Sequence, residues 1–298
     1  MTFVEIGGLV RSATQFVSSA KVVGHVPVRR SDRDDESVMS TAVFSQYLDR
    51  IGLPGVTRTI RPDLQLLETI VTAQLAAIPF ENFDIHLGRP VDVTVEVIEE
   101  KLVRQRRGGI CYELNGLLAR ALRTVGFDAQ LTGASVLADG VPGPPLGHVA
   151  VVVDLDGEYR LADAGFGGDA VSASMSDLGP VDVLFPGGTA YRTEGSVRPL
   201  ADFAAMAWWH STSPLARFTR TIVCSVTARG VRHTLSCSPG HGYRLGQTNG
   251  AVRRTRELED SEVRSVLVRD FGIELPEVPY QSSVSYPPSA GADASRQL

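Results

Sequence analysis

The stretch Arg106-Arg107-Gly108-Gly109-Ile110-Cys111-Tyr112-Glu113-Leu114-Asn115 leads directly into an amphipathic helical pattern that ends at Gly126. Cys111 lies where that helix begins, so its thiol meets unpaired backbone N–H groups and the positive end of the helix dipole. The arginines upstream add positive potential, and together these features favour thiolate over thiol. The pattern predicts a cysteine nucleophile at position 111. The structural alternative is a buried cysteine that serves only as a small apolar core residue.

Helical periodicity also precedes the cysteine. Apolar residues recur at helical spacing over 44–51, 62–78 and 94–102, and a glycine, a proline or a capping threonine bounds each pattern. Residues 43–127 are therefore predicted to form a helical bundle that carries the nucleophile.

After the cysteine helix the periodicity becomes that of strands. Residues 149–155 and 158–166 are predicted strands joined by Asp156-Gly157, a strong signal for a two-residue hairpin loop. Similar patterns continue through Cys237, so a β-sheet or barrel is predicted over residues 128–240.

The ends of the chain differ in composition from its middle. Residues 1–42 have no strong periodicity and are interpreted as a loosely ordered extension. One further helix is predicted after Asp260, within residues 241–275. Residues 276–298 are rich in Pro, Ser, Ala and Gly, which predicts a disordered tail.

The predicted hairpin determines which side chains share a face. If Asp156 and Gly157 form the loop, counting outward along both strands puts Asp163 opposite Ala150, two positions from His148. Positions two apart on a strand share a face, and diagonal Cβ atoms lie roughly 7–8 Å apart or less. The sequence therefore predicts an imidazole–carboxylate hydrogen bond, which a one-residue change in the loop would abolish.

Cys111, His148 and Asp163 match the needs of nucleophilic catalysis. A thiolate needs a proton acceptor, and an imidazole needs its other nitrogen held to fix its tautomer and orientation. We predict that they act as nucleophile, base and orienting carboxylate. Alternatively, His148 and Asp163 are ordinary residues at the ends of strands.

Composition argues against several classes of protein. The chain has 298 residues, 43% hydrophobic and 21% charged, and its net charge of −5 gives no general attraction to nucleic acid or anionic membranes. Three separated cysteines argue against a disulfide framework, and no zinc-ligand spacing is present. We see neither a membrane span nor a secretory signal, so we expect a cytoplasmic protein without a metal, a nucleic-acid partner or a membrane partner.

Residues 106–115 resemble the active-site signature of the arylamine N-acetyltransferases. Two other segments are similar to that family, Ile78-Pro79-Phe80-Glu81-Asn82-Phe83 and Leu161-Ala162-Asp163-Ala164-Gly165-Phe166-Gly167-Gly168. The order and the intervals of Cys, His and Asp also agree, and the similarity covers roughly residues 43–275. The resemblance implies an α+β fold of an N-terminal helical bundle, a central β-barrel and a C-terminal α/β lid, around a cysteine-protease-like Cys-His-Asp core.

The resemblance also implies a reaction. Cys111 would accept an acetyl group from acetyl-CoA as a thioester, and an aromatic amine or hydrazine would then take it in a ping-pong cycle. His148 would assist deprotonation of the amine, and Asp163 would hold His148. Acetyl-CoA is expected as a co-substrate, with no bound cofactor.

Further contacts are implied by the same resemblance. The CoA contacts would come from Gly165, Phe166, Gly167, Gly168, Ser211 and Ser213, although glycines after a strand often only make a turn. Phe166 and Tyr112 are candidates for the amine pocket or for core packing, and Trp208 and Trp209 are expected in the core. Glu81 and Arg106 are expected to form an ion pair behind the nucleophile.

Three rivals to this interpretation exist. A macrolactam-forming amide synthase would keep the triad but take a polyketide thioester as donor. A cysteine hydrolase or transglutaminase-like protein is the second rival, since the same triad also serves acyl transfer to water. A binding module on an inactive fold is disfavoured because all three candidate catalytic residues are present.

Overall fold

Helices predominate before residue 127 and strands after it in a computed structural model, which describes residues 21–23, 38–58, 62–138, 140–167, 171–185 and 190–279. Of residues 21–23, 171 and 172 it describes the backbone alone. The mixture of helix and mainly antiparallel sheet confirms the α+β class.

The N-terminal helices pack around the helix that begins at the predicted nucleophile. They are α1 (Thr41–Ile51), α2 (Leu64–Ala77), α3 (Phe83–His86), α4 (Val95–Glu99, continued by a π-helical turn Glu100–Arg104) and α5 (Cys111–Val125). Helix α5 is buried along nearly its whole length, because helices pack on one side of it and a sheet packs on the other. The predicted bundle therefore has the nucleophile helix at its centre.

The larger sheet holds the predicted base and carboxylate. Its strands are β1 (Lys21–Val23), β3 (Asp128–Ala138), β4 (Val141–Pro142), β5 (His148–Leu155), β6 (Glu158–Asp163), β7 (Val171–Met175), β8 (Asp182–Leu184) and β9 (Ala190–Arg198). Their order is β1-β8-β9-β3-β5-β6-β7, with β4 paired to β3. Strand β1 belongs to the predicted N-terminal extension and pairs with β8.

A second sheet joins the C-terminal part to the bundle. It contains β2 (Phe80–Glu81), β10 (Ile222–Ala228), β11 (Val231–Cys237), β12 (Tyr243–Asn249) and β13 (Val252–Leu258), in the order β13-β12-β11-β10-β2. The sequence pattern predicts β10 and β11 in the sheet of His148, but their hydrogen bonds place them in this second sheet. The predicted boundaries of the helical bundle (43–127), the β-barrel (128–240) and the lid (241–275) stay a prediction.

Two of the remaining helices lie between β9 and β10 in the chain, and the third follows β13. Helix α6 (Ala204–Thr212) follows a 3-10 turn at Leu200–Phe203, α7 is Arg217–Arg220, and α8 (Asp260–Val266) continues into a π-helical turn at Leu267–Phe271. Leu275 and Val278 are buried in the hydrophobic core formed by the second sheet and α8, and the predicted disorder of residues 276–298 stays a prediction. Among the described residues, no helix has both the length and the apolar character needed to cross a membrane.

The expected burial of Trp208 is wrong. Its side chain is 61% exposed, whereas Trp209 is half-buried. Ala207 and Ser211, one turn apart, form the buried side of α6. Since successive helical residues point about 100° apart, Trp208 turns away from that side.

Close backbone contacts fix the loop before Cys111. The Glu81 N–H donates to Gly109 O at 2.9 Å, and the Gly109 N–H donates to Pro79 O at 3.2 Å. A Cβ atom on Gly108 would lie 2.1 Å from the Pro79 carbonyl oxygen. The two glycines therefore let residues 108–109 run beside β2 and deliver the chain to α5.

We expect Gly108→Ala to destabilise the protein by about 2 kcal/mol or more, because the new methyl group meets rigid backbone. Denaturant unfolding would measure the loss. Gly55→Ala is the matched control, since an added Cβ at Gly55 meets nothing within 4 Å. Equal stability of the two variants would contradict the close approach.

Candidate active site

Cys111 is the first residue of α5, and its side chain is nearly buried at 3% exposure. The preceding Ile110 is the N-cap residue and has no side-chain capping group. Its backbone N–H donates instead to Glu113 Oε2 at 2.9 Å. The thiol therefore lies at the helix start that the sequence predicts, with the N–H groups of the first turn close by.

The hairpin between β5 and β6 has the register that its two-residue loop predicts. Leu155 pairs with Glu158 and Val151 pairs with Ala162. The His148 Nε2 atom lies 2.8 Å from Asp163 Oδ2, and both side chains are almost fully buried. The predicted imidazole–carboxylate hydrogen bond is therefore present.

The imidazole of His148 lies between Asp163 and Cys111. Burial alone lowers the pKa of His148, but the Asp163 charge, the Asp163 hydrogen bond and the neighbouring Cys111 thiol raise that pKa to about 10. Burial likewise raises the pKa of Asp163, and the His148 charge, with hydrogen bonds from His148, Asn115 and Gly165, lowers it overall. At neutral pH the arrangement favours an imidazolium beside an ionised carboxylate.

Asn115 holds the second oxygen of that carboxylate. Its Nδ2 donates to Asp163 Oδ1 at 2.8 Å and to Val149 O at 2.6 Å, and its Oδ1 accepts from the Ala164 N–H. The Gly165 N–H donates to the same Asp163 oxygen at 2.7 Å. Asn115 has no role among the sequence-based predictions, although its position four residues after Cys111 on α5 already places it on the same helix face.

Aromatic rings surround the imidazole. The centroids of Phe166 and Tyr191 lie 4.9 and 4.7 Å from that of His148, and Phe185 stacks on Phe166 at 5.0 Å. No sequence pattern identifies Tyr191 or Phe185 as a neighbour of His148, because both are far from His148 in sequence. Tyr112 is fully buried and its hydroxyl donates to Leu146 O, which places it in the core.

A buried ionic cluster lies behind the nucleophile loop. Arg107 bonds to Glu81 at 2.7 Å and to Asp84 at 3.1 Å, while Lys101 bonds to Asp84 at 2.8 Å and to Glu113 at 2.7 Å. Burial raises the pKa of Glu113, and Lys101 and the Ile110 N–H oppose that rise. The cluster thus connects β2 to the first turn of α5.

The expected partner of Glu81 is corrected from Arg106 to Arg107. Arg106 has a left-handed backbone with φ of 53°, and its carbonyl accepts from Arg50. This local reversal turns the Arg106 side chain away and lets Arg107 enter the buried cluster. A periodic pattern in the sequence does not show such a reversal.

The predicted CoA contacts occupy three different settings. Gly165 packs against α5, where an added Cβ would lie 3.1 Å from the Cys111 Cα, while Gly167 has open space and a φ of 90°. Ser211 Oγ bonds to Ala207 O and Val91 N, and Ser213 Oγ accepts from the Leu215 N–H. Gly168 lies outside the described residues. In the described part of the chain, no cluster of His, Cys, Asp or Glu is arranged to hold a metal ion.

We expect limiting iodoacetamide at pH 7 to modify Cys111 before the other two cysteines. Burial and the Glu81 charge raise the pKa of Cys224 well above its ordinary value, and burial and Asp260 raise that of Cys237 to about 11. Cys111 alone faces an imidazole that can hold the proton. Peptide mass analysis gives the order, and faster labelling of Cys224 or Cys237 would contradict the assignment.

The His148–Asp163 pair predicts a pH-dependent stability. Because the pKa of His148 is raised from 6.5 to about 10, its contribution is complete below pH 6.5 and is lost as pH rises towards 10. Asp163, with its lowered pKa, stays ionised across this range. The difference in free energy of unfolding between wild type and His148→Gln should shrink from pH 7 to 10 in urea titrations. A constant difference would show that the imidazole is not charged in the folded state.

The sequence matches a protein-family model described as N-acetyltransferase over residues 63–182 and 175–278. An arylamine N-acetyltransferase from Mycolicibacterium smegmatis is 34% identical over 259 residues, which are 77% of this chain and 91% of that protein.

Solved structures agree with the sequence match. The arylamine N-acetyltransferase of M. smegmatis superposes with a TM-score of 0.66 at 31% identity, covering 78% of this chain and 92% of that chain. The Mycobacterium marinum arylamine N-acetyltransferase in complex with CoA gives a TM-score of 0.67 at 28% identity, covering 77% and 92%.

Proposed function

Because the chain belongs to the arylamine N-acetyltransferase family, we propose that it transfers an acetyl group from acetyl-CoA to the nitrogen of an aromatic amine or hydrazine. The observation that carries this proposal is the buried array of Cys111, His148 and Asp163, in which the imidazole lies beside the Cys111 thiol and bonds to the Asp163 carboxylate at 2.8 Å. The M. marinum relative with bound CoA supports acetyl-CoA as the donor.

In the first half-reaction the Cys111 sulfur attacks the carbonyl carbon of the acetyl thioester. The new C–S bond forms, the bond to the CoA sulfur breaks, and the His148 imidazolium gives its proton to the departing CoA thiolate. The raised pKa of His148 keeps that proton available at neutral pH. The products are the acetyl-Cys111 thioester and free CoA.

In the second half-reaction the amine nitrogen attacks the acetyl carbon of acetyl-Cys111. The C–N bond forms, the C–S bond breaks, and neutral His148 accepts the proton that the nitrogen loses. Asp163 holds Nε2 throughout, which leaves Nδ1 of His148 to exchange protons with the thiol, CoA and the amine. The cycle ends with the free Cys111 sulfur and the protonated His148 imidazole restored.

Oxyanion stabilisation is assigned to the start of α5. The N–H groups of Cys111 and Tyr112 belong to the first helical turn, where no intrahelical acceptor exists, and the helix dipole favours negative charge there. The Glu113 bond to the Ile110 N–H fixes this turn before substrate arrives. The donors therefore need no rearrangement during the reaction.

For CoA we propose contacts with Gly165, Phe166, Gly167, Gly168, Ser211 and Ser213. Open space around Gly167 supports close approach of a phosphate to its backbone. Ser213 is only partly buried, whereas the hydroxyl of Ser211 already bonds to two backbone groups.

We expect intact-mass measurement after mixing with acetyl-CoA to show a gain of about 42 Da on Cys111 that disappears when aniline or a hydrazine is added. Cys111→Ala should show no gain, and His148→Ala should abolish transfer while remaining folded. A reactive thiol that gains no mass from acetyl-CoA would contradict the donor and favour the amide-synthase alternative. Persistence of the gain after amine addition would contradict the acceptor.

A further inference from the structure

Two non-glycine residues shortly before the nucleophile and the base have a left-handed backbone. They are Arg106, with φ of 53°, and Leu146, with φ of 57°. The other such residues in the described chain, Asp156 and Arg229, lie in two-residue hairpin loops, where this conformation is usual. A left-handed leucine outside such a loop persists only where its surroundings hold it.

Leu146 is held by the residue that follows the nucleophile. The Tyr112 hydroxyl donates to Leu146 O at 2.7 Å across 34 residues of sequence. The Leu146 side chain lies over Gly133, where an added Cβ would come within 2.4 Å of Cδ2. Leu146 is the third residue of a turn that the Gly147 N–H closes by donating to Pro144 O at 3.2 Å. The bond from α5 and the close contact with β3 hold this turn in place from outside.

Tyr112 is itself rigidly placed. Its side chain is fully buried, and its ring contacts Phe203 and His210 at centroid distances of 5.8 and 6.0 Å. The Tyr112 ring makes these packing contacts, and the hydroxyl makes one hydrogen bond, to Leu146 O. Replacing tyrosine by phenylalanine removes that bond alone.

Building on the proposed function, we propose that Tyr112 is a positioning residue whose hydroxyl sets where β5 begins, and thereby aligns His148 with the Cys111 thiol. Leu146 lies two residues before His148, and Tyr112 lies directly beside Cys111 on α5. One hydrogen bond thus connects the start of the nucleophile helix to the start of the base strand. Proton transfer between sulfur and imidazole depends on their separation, so a small shift of β5 slows both half-reactions.

Tyr112→Phe should slow the single-turnover acetylation of Cys111 at saturating acetyl-CoA by about 10-fold, the effect expected of one lost hydrogen bond. Iodoacetamide labelling of Cys111 at pH 7 should slow as well. The apparent KM for acetyl-CoA should stay unchanged, because Tyr112 is buried away from solvent.

Tyr47→Phe is the matched control. Tyr47 is also fully buried, and its hydroxyl donates to Gln74 Oε1 at 2.9 Å in the helical bundle. This variant should lose stability to a similar extent and keep the wild-type acetylation rate. Equal slowing of both variants would mean that Tyr112 acts only through stability.

Leu146→Asn tests whether Tyr112→Phe acts through the backbone conformation of residue 146, because asparagine tolerates the left-handed region. In the Leu146→Asn background, Tyr112→Phe should slow acetylation by less than about 3-fold, since the turn no longer depends on the hydroxyl. The same 10-fold loss in both backgrounds would overturn the role of Leu146. A wild-type rate for Tyr112→Phe would overturn the proposal, whereas a wild-type protein that gains no acetyl group would overturn the proposed function instead.

Discussion

The Asp163 carboxylate is ionised and fully buried. The arrangement of the candidate site follows from the need to give each of its oxygens a hydrogen-bond partner and its charge a counter-charge. A buried charge is stable only where hydrogen bonds and an opposite charge replace its water. Here His148 binds one oxygen, while Asn115 and the Gly165 N–H bind the other. These partners come from α5, β5 and the turn after β6, so the carboxylate draws three elements together. Asn115 also bonds to Val149 O, which connects α5 directly to β5.

A second buried charge network lies behind the loop that precedes Cys111. Its carboxylates are Glu81, Asp84 and Glu113, and its cations are Lys101 and Arg107. The three carboxylates outnumber the two cations. Carboxylate oxygens also accept hydrogen bonds from backbone N–H groups, including that of Ile110. Replacing one member would leave an uncompensated charge, so this network specifies one geometry for the loop before Cys111.

Close backbone approach complements these polar contacts. Gly108 lets the nucleophile loop run beside Pro79, and Gly165 lets the turn after β6 pack on the first turn of α5. A methyl group at either position would separate Cys111 from the elements that define its surroundings. Gly108 and Gly165 therefore have a packing role, which is compatible with the proposed contact of Gly167 with CoA.

The sequence by itself determined the local features of the site. The helix start at Cys111 follows from periodicity, and the Asp156-Gly157 loop sets the register that brings His148 and Asp163 together, because turn chemistry acts within a few residues. Tertiary structure alone decided that Arg107 rather than Arg106 meets Glu81, that β10 and β11 join the second sheet, and that Tyr112 bonds to Leu146. Each of these depends on partners far apart in sequence or on a single reversed backbone angle. Local propensity carries no information about such partners, since the free energy that selects them arises only when the elements pack.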